Sequence, residues 1–299
     1  MVYHHTIFQF CFEGQSPVTQ ATPLDRRHAE TLEARTAYLE SGTGAALVLI
    51  HGVGLNASVW QPQIDAFDGA YRVIAYDTLG HGASTLPPSS ATLWEYVTQL
   101  HGLLDSLDIQ RAVLLGHSMG ALIAILFALE HGQRVQAMIA ANPVYRRPQV
   151  QLAVSRKRVR ELERGGPQAT LDEALERWFG DADGLDSPRV EQVAKWIRQA
   201  DPRGYAWAYR AFAEADPLID GRLAELEVPA LFVTGELDPN STPAMARALA
   251  SEAPLGQAMV LDGERHMMTY ASAPRFNGVV TEFLNRAVEP SRCTVGRSG

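Results

Sequence analysis

Gly116-His117-Ser118-Met119-Gly120 stands between an apolar run, Ala112–Leu115, and a helix-forming run, Ala121–Leu129. A strand, a tight turn and a helix are what a G-x-S-x-G sequence needs to form a nucleophile elbow. The turn holds its serine in a strained backbone conformation, and the flanking glycines keep Cβ atoms away where strand and helix nearly touch. The expected product is a bare Ser118 hydroxyl at a helix N-terminus, where unpaired N–H groups and the helix dipole favour negative charge. A chance match is the alternative reading. The strand before the turn, the helix after it and the partners found downstream weigh against chance.

A serine hydroxyl is a poor nucleophile until a base takes its proton, and the base needs an anion to fix its tautomer. For an elbow of this kind the partners follow in the order Ser, Asp or Glu, His. Asp238 sits just beyond the apolar strand Ala230–Thr234, and His266 lies in the loop after the strand Ala258–Leu261. Both positions fall at the carboxyl ends of strands, on the face where the elbow presents Ser118. Glu236 and Asp262 are rivals for the acid, and His51, His81, His117 and His131 for the base. The oxyanion of an acyl-transfer intermediate needs fixed backbone donors. Met119, after the nucleophile, is one expected donor, and Val53, in the loop His51-Gly52-Val53-Gly54 after a strand ending at Ile50, is the other.

Around these loops the chain alternates strands and helices. A weak alternation from Ala29 to Glu40 suggests antiparallel edge strands. Ala45–Ile50, Arg72–Tyr76 and Val135–Ala140 read as buried strands, and a helix capped by Thr92 runs to about Leu107. The expected class is α/β, with a mostly parallel, doubly wound sheet. The rhythm breaks after the sixth strand. Residues 144–220 hold no apolar strand, carry 13 of the 26 Lys and Arg residues and 13 of the 34 acids, so are near neutral, and read as helices. The expected helices are Val150–Arg164, Leu171–Phe179, Pro188–Ala200 and Gly204–Glu214. A further helix capped by Thr242 and a last one over Pro274–Ala287 follow. The expected organisation is an extension over 1–27, a core over 28–143 and 221–288, a helical cap over 144–220 and a tail over 289–299. A helical linker with no contact to the site is the alternative for 144–220.

Composition narrows the classes. A net charge of -8 with no basic stripe argues against nucleic acid. No apolar run reaches the ~18 residues of a spanning helix, and Met1–Phe12 lacks the basic start and small-residue cleavage site of a signal peptide. Cys11 and Cys293 make no disulfide framework, and His4-His5 has no second pair at metal spacing. A cytoplasmic protein acting on a small molecule, with no metal, no cofactor and no membrane partner, is expected; a homodimer is left open.

Taken together, H-G-x-G at 51–54, G-H-G at 80–82, G-x-S-x-G, the Gly235-Glu236-Leu237-Asp238 turn and the late His266 resemble the α/β-hydrolase fold family over roughly residues 29–287. Tyr76-Asp77-Thr78-Leu79-Gly80-His81-Gly82 and Asp201-Pro202-Arg203-Gly204-Tyr205 look most like the branch of 3-oxoadipate enol-lactonases and hydrolases of ring-cleavage products. That resemblance implies hydrolysis of a small ester, enol-lactone or activated amide through an acyl-enzyme. C–C bond hydrolysis, cofactor-free dioxygenation or perhydrolysis on the same triad, and a receptor with a vestigial triad are the alternatives. Serine at 118 speaks against dehalogenases and epoxide hydrolases, which need an aspartate there. For a carboxylated substrate, Arg146 and Arg147, beside the cleft after Asn142-Pro143, and Arg210 and Trp207, in the run Tyr205–Phe212, are the expected binding residues. The remaining basic residues of 144–164 read as solvated helix faces.

Overall fold

The computed structural model describes residues 24–30, 34–180 and 187–288. The expected tail over 289–299 and most of the extension over 1–27, with His4, His5, Cys11 and Cys293, lie outside the described residues.

The strands are β1 (Arg27–Glu30), β2 (Arg35–Ser41), β3 (Ala46–Ile50), β4 (Arg72–Tyr76), β5 (Ala112–His117), β6 (Val135–Ala141), β7 (Ala230–Gly235) and β8 (Gly256–Leu261). They form one sheet in the order β1-β2-β4-β3-β5-β6-β7-β8. β2 pairs antiparallel with β1 and β4, and the remaining pairs are parallel. The apolar runs explain this. Parallel strands covered on both faces bury every side chain, as β3, β5 and β7 do here. β8, at the sheet edge, starts two residues before the expected Ala258 because half-buried Gly256 and exposed Gln257 carry no apolar signal.

The helices before β6 are α1 (Gln61–Phe67), which the sequence reading missed, α2 (Leu93–Ser106) and α3 (Met119–Glu130). Thr92 and Glu95 close a capping box at the start of α2, satisfying N–H groups that the helix cannot. α3, the helix after the elbow, is buried from Met119 to Ala128, as a helix apolar on all sides must be. Between β6 and β7 come α4 (Gln149–Gly165), α5 (Leu171–Phe179), α6 (Pro188–Gln199), α7 (Pro202–Ala213) and α8 (Asp216–Ile219), with no strand among the described residues. α7 begins before the expected Gly204 because Asp201 accepts the N–H groups of Arg203 and Gly204 and caps it there. α9 (Pro243–Glu252), α10 (Met268–Ala271) and α11 (Ala273–Ala287) are the last helices among the described residues. Among the described residues no helix is long and apolar enough to cross a membrane.

Candidate active site

The carboxyl ends of β3, β5, β7 and β8 open on one edge of the sheet, where open α/β sheets bind ligands. At the end of β5, Ser118 has φ 56° and ψ -115°, a conformation that L-residues rarely adopt. A Cβ on Gly116 would lie 2.1 Å from the Gly120 carbonyl oxygen, and one on Gly120 2.1 Å from that of Ile50. Glycine is therefore a steric requirement at both places. The loop after β3 lies against the nucleophile: a Cβ on Gly52 would sit 3.1 Å from the Ser118 Cβ. Val53 lines the same cavity as Ser118, and Met119 opens α3, where its N–H has no intrahelical acceptor.

His266 and Asp238 meet. Nδ1 of His266 is 2.6 Å from Oδ2 of Asp238, and both side chains are buried. Asn142 donates to the same carboxylate oxygen at 2.8 Å, while Oδ1 accepts the N–H groups of Asn240 at 2.8 Å and Ser241 at 3.2 Å. Burial alone would raise the Asp238 carboxyl. The His266 imidazole and the surrounding donors outweigh burial and hold the carboxyl below its ordinary range. Glu236 and Asp262, the rival acids, are exposed.

The rival imidazoles have other work. His51 Nε2 accepts the Thr78 N–H at 3.0 Å, and its Nδ1 lies 2.7 Å from the Gly52 carbonyl. His81 Nε2 accepts the Gly54 N–H at 2.9 Å, so both rings brace the loop after β3. His117 donates from Nε2 to the carbonyl of His266 at 2.9 Å. Burial pushes His51 well below its usual range, His81 to about 4 and His117 to about 3, keeping each neutral near pH 7. His131 lies at the far end of α3, against His101.

Ser118 and His266 open into a cavity of about 220 Å³. Its apolar wall includes Trp178, Tyr205, Tyr209 and Phe212, and three arginines reach it: Arg147, Arg158 and Arg177. Only Arg147 was expected there. Its Nε bonds Asp216 at 2.7 Å, its Nη2 bonds the carbonyls of Phe212 and Ala213, and its guanidinium lies 4.8 Å over the Phe212 ring. Its charge is largely answered within the protein.

The other expected binding residues stand elsewhere. Arg146 turns away at φ 45° to pair with Asp220 and Glu252 at the surface. Arg210 is held by Glu163 and the Ser89 carbonyl, outside the cavity lining. Trp207 lies on the side of α7 opposite Tyr205, Tyr209 and Phe212 and borders a separate depression with Leu162 and Pro202. The structure does not bring those three side chains into the lining of the Ser118 cavity.

Arg158 and Arg177 line the cavity instead. Arg158 is 8% exposed and donates to the Tyr209 hydroxyl at 3.0 Å; the nearest carboxylate, on exposed Glu173, is 3.8 Å away. Arg177 donates to the Glu173 carbonyl. Burial lowers its pKa, and the neighbouring Arg158 cation lowers it further. The buried Nε of both arginines has no partner among the described residues. The signal was present in the sequence: Ser155, Arg158, Val159 and Leu162 form one i, i+3, i+4, i+7 stripe, the inner face of α4. Among the described residues no cluster of three His, Cys, Asp or Glu side chains could hold a metal ion.

The family model described as the alpha/beta hydrolase family matches residues 47–277. The chain belongs to that family. This α/β-hydrolase is 36% identical over 251 residues to the (E)-2-((N-methylformamido)methylene)succinate hydrolase of Acinetobacter baylyi, covering 84% of this chain and 94% of the relative. It is 31% identical to 3-oxoadipate enol-lactonase 2 of the same organism, covering 81% and 89% of the two chains. Among solved structures, the enol-lactonase of Burkholderia xenovorans superposes with a TM-score of 0.78 at 28% identity, covering 86% of this hydrolase and 99% of that chain.

Proposed function

We propose that this enzyme hydrolyses a small carboxylated ester, enol-lactone or activated amide of the ring-cleavage type through an acyl-enzyme on Ser118. The observation that carries the reading is the 2.6 Å contact between His266 and buried Asp238, beside a strained Ser118 on one cavity. Asp238 fixes the His266 tautomer with Nδ1–H toward the carboxylate, leaving Nε2 to take the serine proton. Oγ then attacks the substrate carbonyl. The N–H groups of Val53 and Met119 receive the oxyanion, and the imidazolium returns the proton to the leaving group. Water, activated by the same imidazole, releases the acid.

Arg158 and Arg177 support an anionic substrate. Arg158 is buried with only the exposed Glu173 carboxylate, 3.8 Å away, to answer its charge among the described residues, and a substrate carboxylate could accept from both guanidiniums. The relative at 36% identity is named for a substituted succinate and the one at 31% for 3-oxoadipate enol-lactone. In this reading residues 144–220 are a cap whose α4, α5 and α7 bring these side chains over the core formed by 28–143 and 221–288.

The test is a neutral fluorophosphonate followed by peptide mapping, beside a panel of p-nitrophenyl esters, enol-lactones and N-acylated enamines with and without carboxylates. Label on Ser118 and preference for the acids are expected. An unlabelled Ser118 would remove the mechanism, and preference for the neutral compounds would remove the substrate class.

A further inference from the structure

Arg177 and Trp178 are consecutive residues of α5 and line the same cavity, yet they reach different groups. Arg177 stands with Arg158 on the cationic wall. Trp178 stacks on the His266 imidazole, with ring centroids 5.9 Å apart and planes inclined by 25°. Its carbonyl accepts the Met267 N–H at 3.4 Å. Beyond it, a Cβ on Gly180 would lie 2.3 Å from Nε of Arg265, so the end of α5 presses on that side chain as well. The last turn of α5 and the residue after it thus touch Arg265, His266 and Met267 in succession. From the opposite side, the elbow residue His117 holds the His266 carbonyl. The base is clamped between the sheet and α5.

Arg158, on α4, and Arg177, on α5, line the same cavity, and the Arg158 cation disfavours the charged form of Arg177, so a repulsion acts between the two helices. An anion bridging them reverses the sign of that force. Because Trp178 rides on the same turn as Arg177, the change is delivered to the face of the imidazole. Binding energy from a remote part of a substrate is then spent at the reacting centre, where it raises turnover rather than occupancy alone.

We propose that Trp178 is a positioning residue for His266, through which a substrate carboxylate seated on Arg158 and Arg177 tightens the placement of the base. The inference rests on Ser118 being the nucleophile. A free distal carboxylate therefore raises kcat, not only the apparent affinity.

The experiment compares the mono-p-nitrophenyl ester of adipic acid with the same ester capped as its neutral methyl ester. Wild-type enzyme is expected to show at least a tenfold higher kcat on the acid. In Trp178→Leu, which keeps apolar bulk and loses the stacking face, kcat on the acid falls at least tenfold toward that of the neutral ester. KM for the acid then changes less than threefold, and kcat falls by a clearly smaller factor on the neutral ester than on the acid. Trp178→Phe, which restores an aromatic face, recovers at least a third of the lost acid-specific kcat. Arg177→Met collapses the acid-to-neutral kcat ratio with Trp178 intact, which decides the matter should Trp178→Leu not fold. Equal losses on both esters, an effect confined to KM, or a wild-type enzyme indifferent to the carboxylate would each overturn the coupling. Fluorophosphonate labelling of the wild type separates the two levels: label on Ser118 with any of those results refutes the coupling alone, whereas no label refutes the nucleophile and the coupling together.

Discussion

Asn142 donates its side-chain amide to Oδ2 of Asp238 at 2.8 Å, the same oxygen that lies 2.6 Å from Nδ1 of His266. One carboxylate oxygen thus serves two neighbours, and the Asn142 bond decides which way that oxygen faces. Asn142 has φ 51°, so the substitution that removes the amide without backbone strain is glycine. Asn142→Gly is expected to lower kcat about tenfold to a hundredfold, the range for one lost hydrogen bond to a charged group. Steady-state kinetics beside a thermal melt check this. A variant with wild-type kcat would release Asn142 from the site.

Ser118→Ala should abolish turnover and leave the fold intact, since its hydroxyl contributes little packing. His266→Ala should cost a similar factor, and the double variant little more, because the members of such a unit act together. Multiplicative losses in the double variant would show that the two residues work apart.

The arginines separate by substrate. Arg158→Met and Arg177→Met should each reduce kcat/KM roughly tenfold to a hundredfold on a carboxylated substrate and much less on its methyl ester. Arg210→Met and Arg146→Met should change neither, because those cations are spent on Glu163, Asp220, Glu252 and a backbone carbonyl. Selective loss in Arg210→Met would return that residue to the pocket.

Stability should fall in mild acid. His81 is held at about 4 and His117 at about 3 by burial, against 6.5 when unfolded. Between these limits the unfolded chain binds more protons, so stability is complete above about pH 6.5 and lost as pH falls toward 4 and then 3. His81 alone accounts for on the order of 3 kcal/mol. Urea midpoints of Ser118→Ala measured from pH 7.5 to 4 check the slope, and His81→Gln should flatten it while lowering stability at neutral pH. A midpoint unchanged down to pH 4.5 would refute it.

The positions proposed to carry the reaction are legible because each sits where an apolar run stops. Ser118, Asp238 and His266 follow β5, β7 and β8, and runs of this kind are hard to misread. Helix phase was harder. Arg158 was read as solvated although it shares a stripe with Val159 and Leu162, since an arginine on an inner face goes against ordinary burial preferences. Trp207 was expected inward for its aromatic character, but on α7 the positions of Tyr205, Tyr209 and Phe212 define the covered side, and Trp207 falls off it. Arg146 and Arg147 are adjacent in sequence and were read alike. The left-handed backbone at Arg146 sends their side chains apart, and no local signal marks an arginine for that conformation.

The backbone N–H of Asn142 bonds the carbonyl of Val233 at 2.8 Å, where the long helical excursion begins. The excursion leaves at the carboxyl end of β6 and re-enters at the amino end of β7, so it runs from one end of the parallel pair to the other. Because Trp178 of α5 stacks on His266 and its carbonyl accepts the Met267 N–H, a change of sequence in α5 reaches the imidazole as well as the cavity wall.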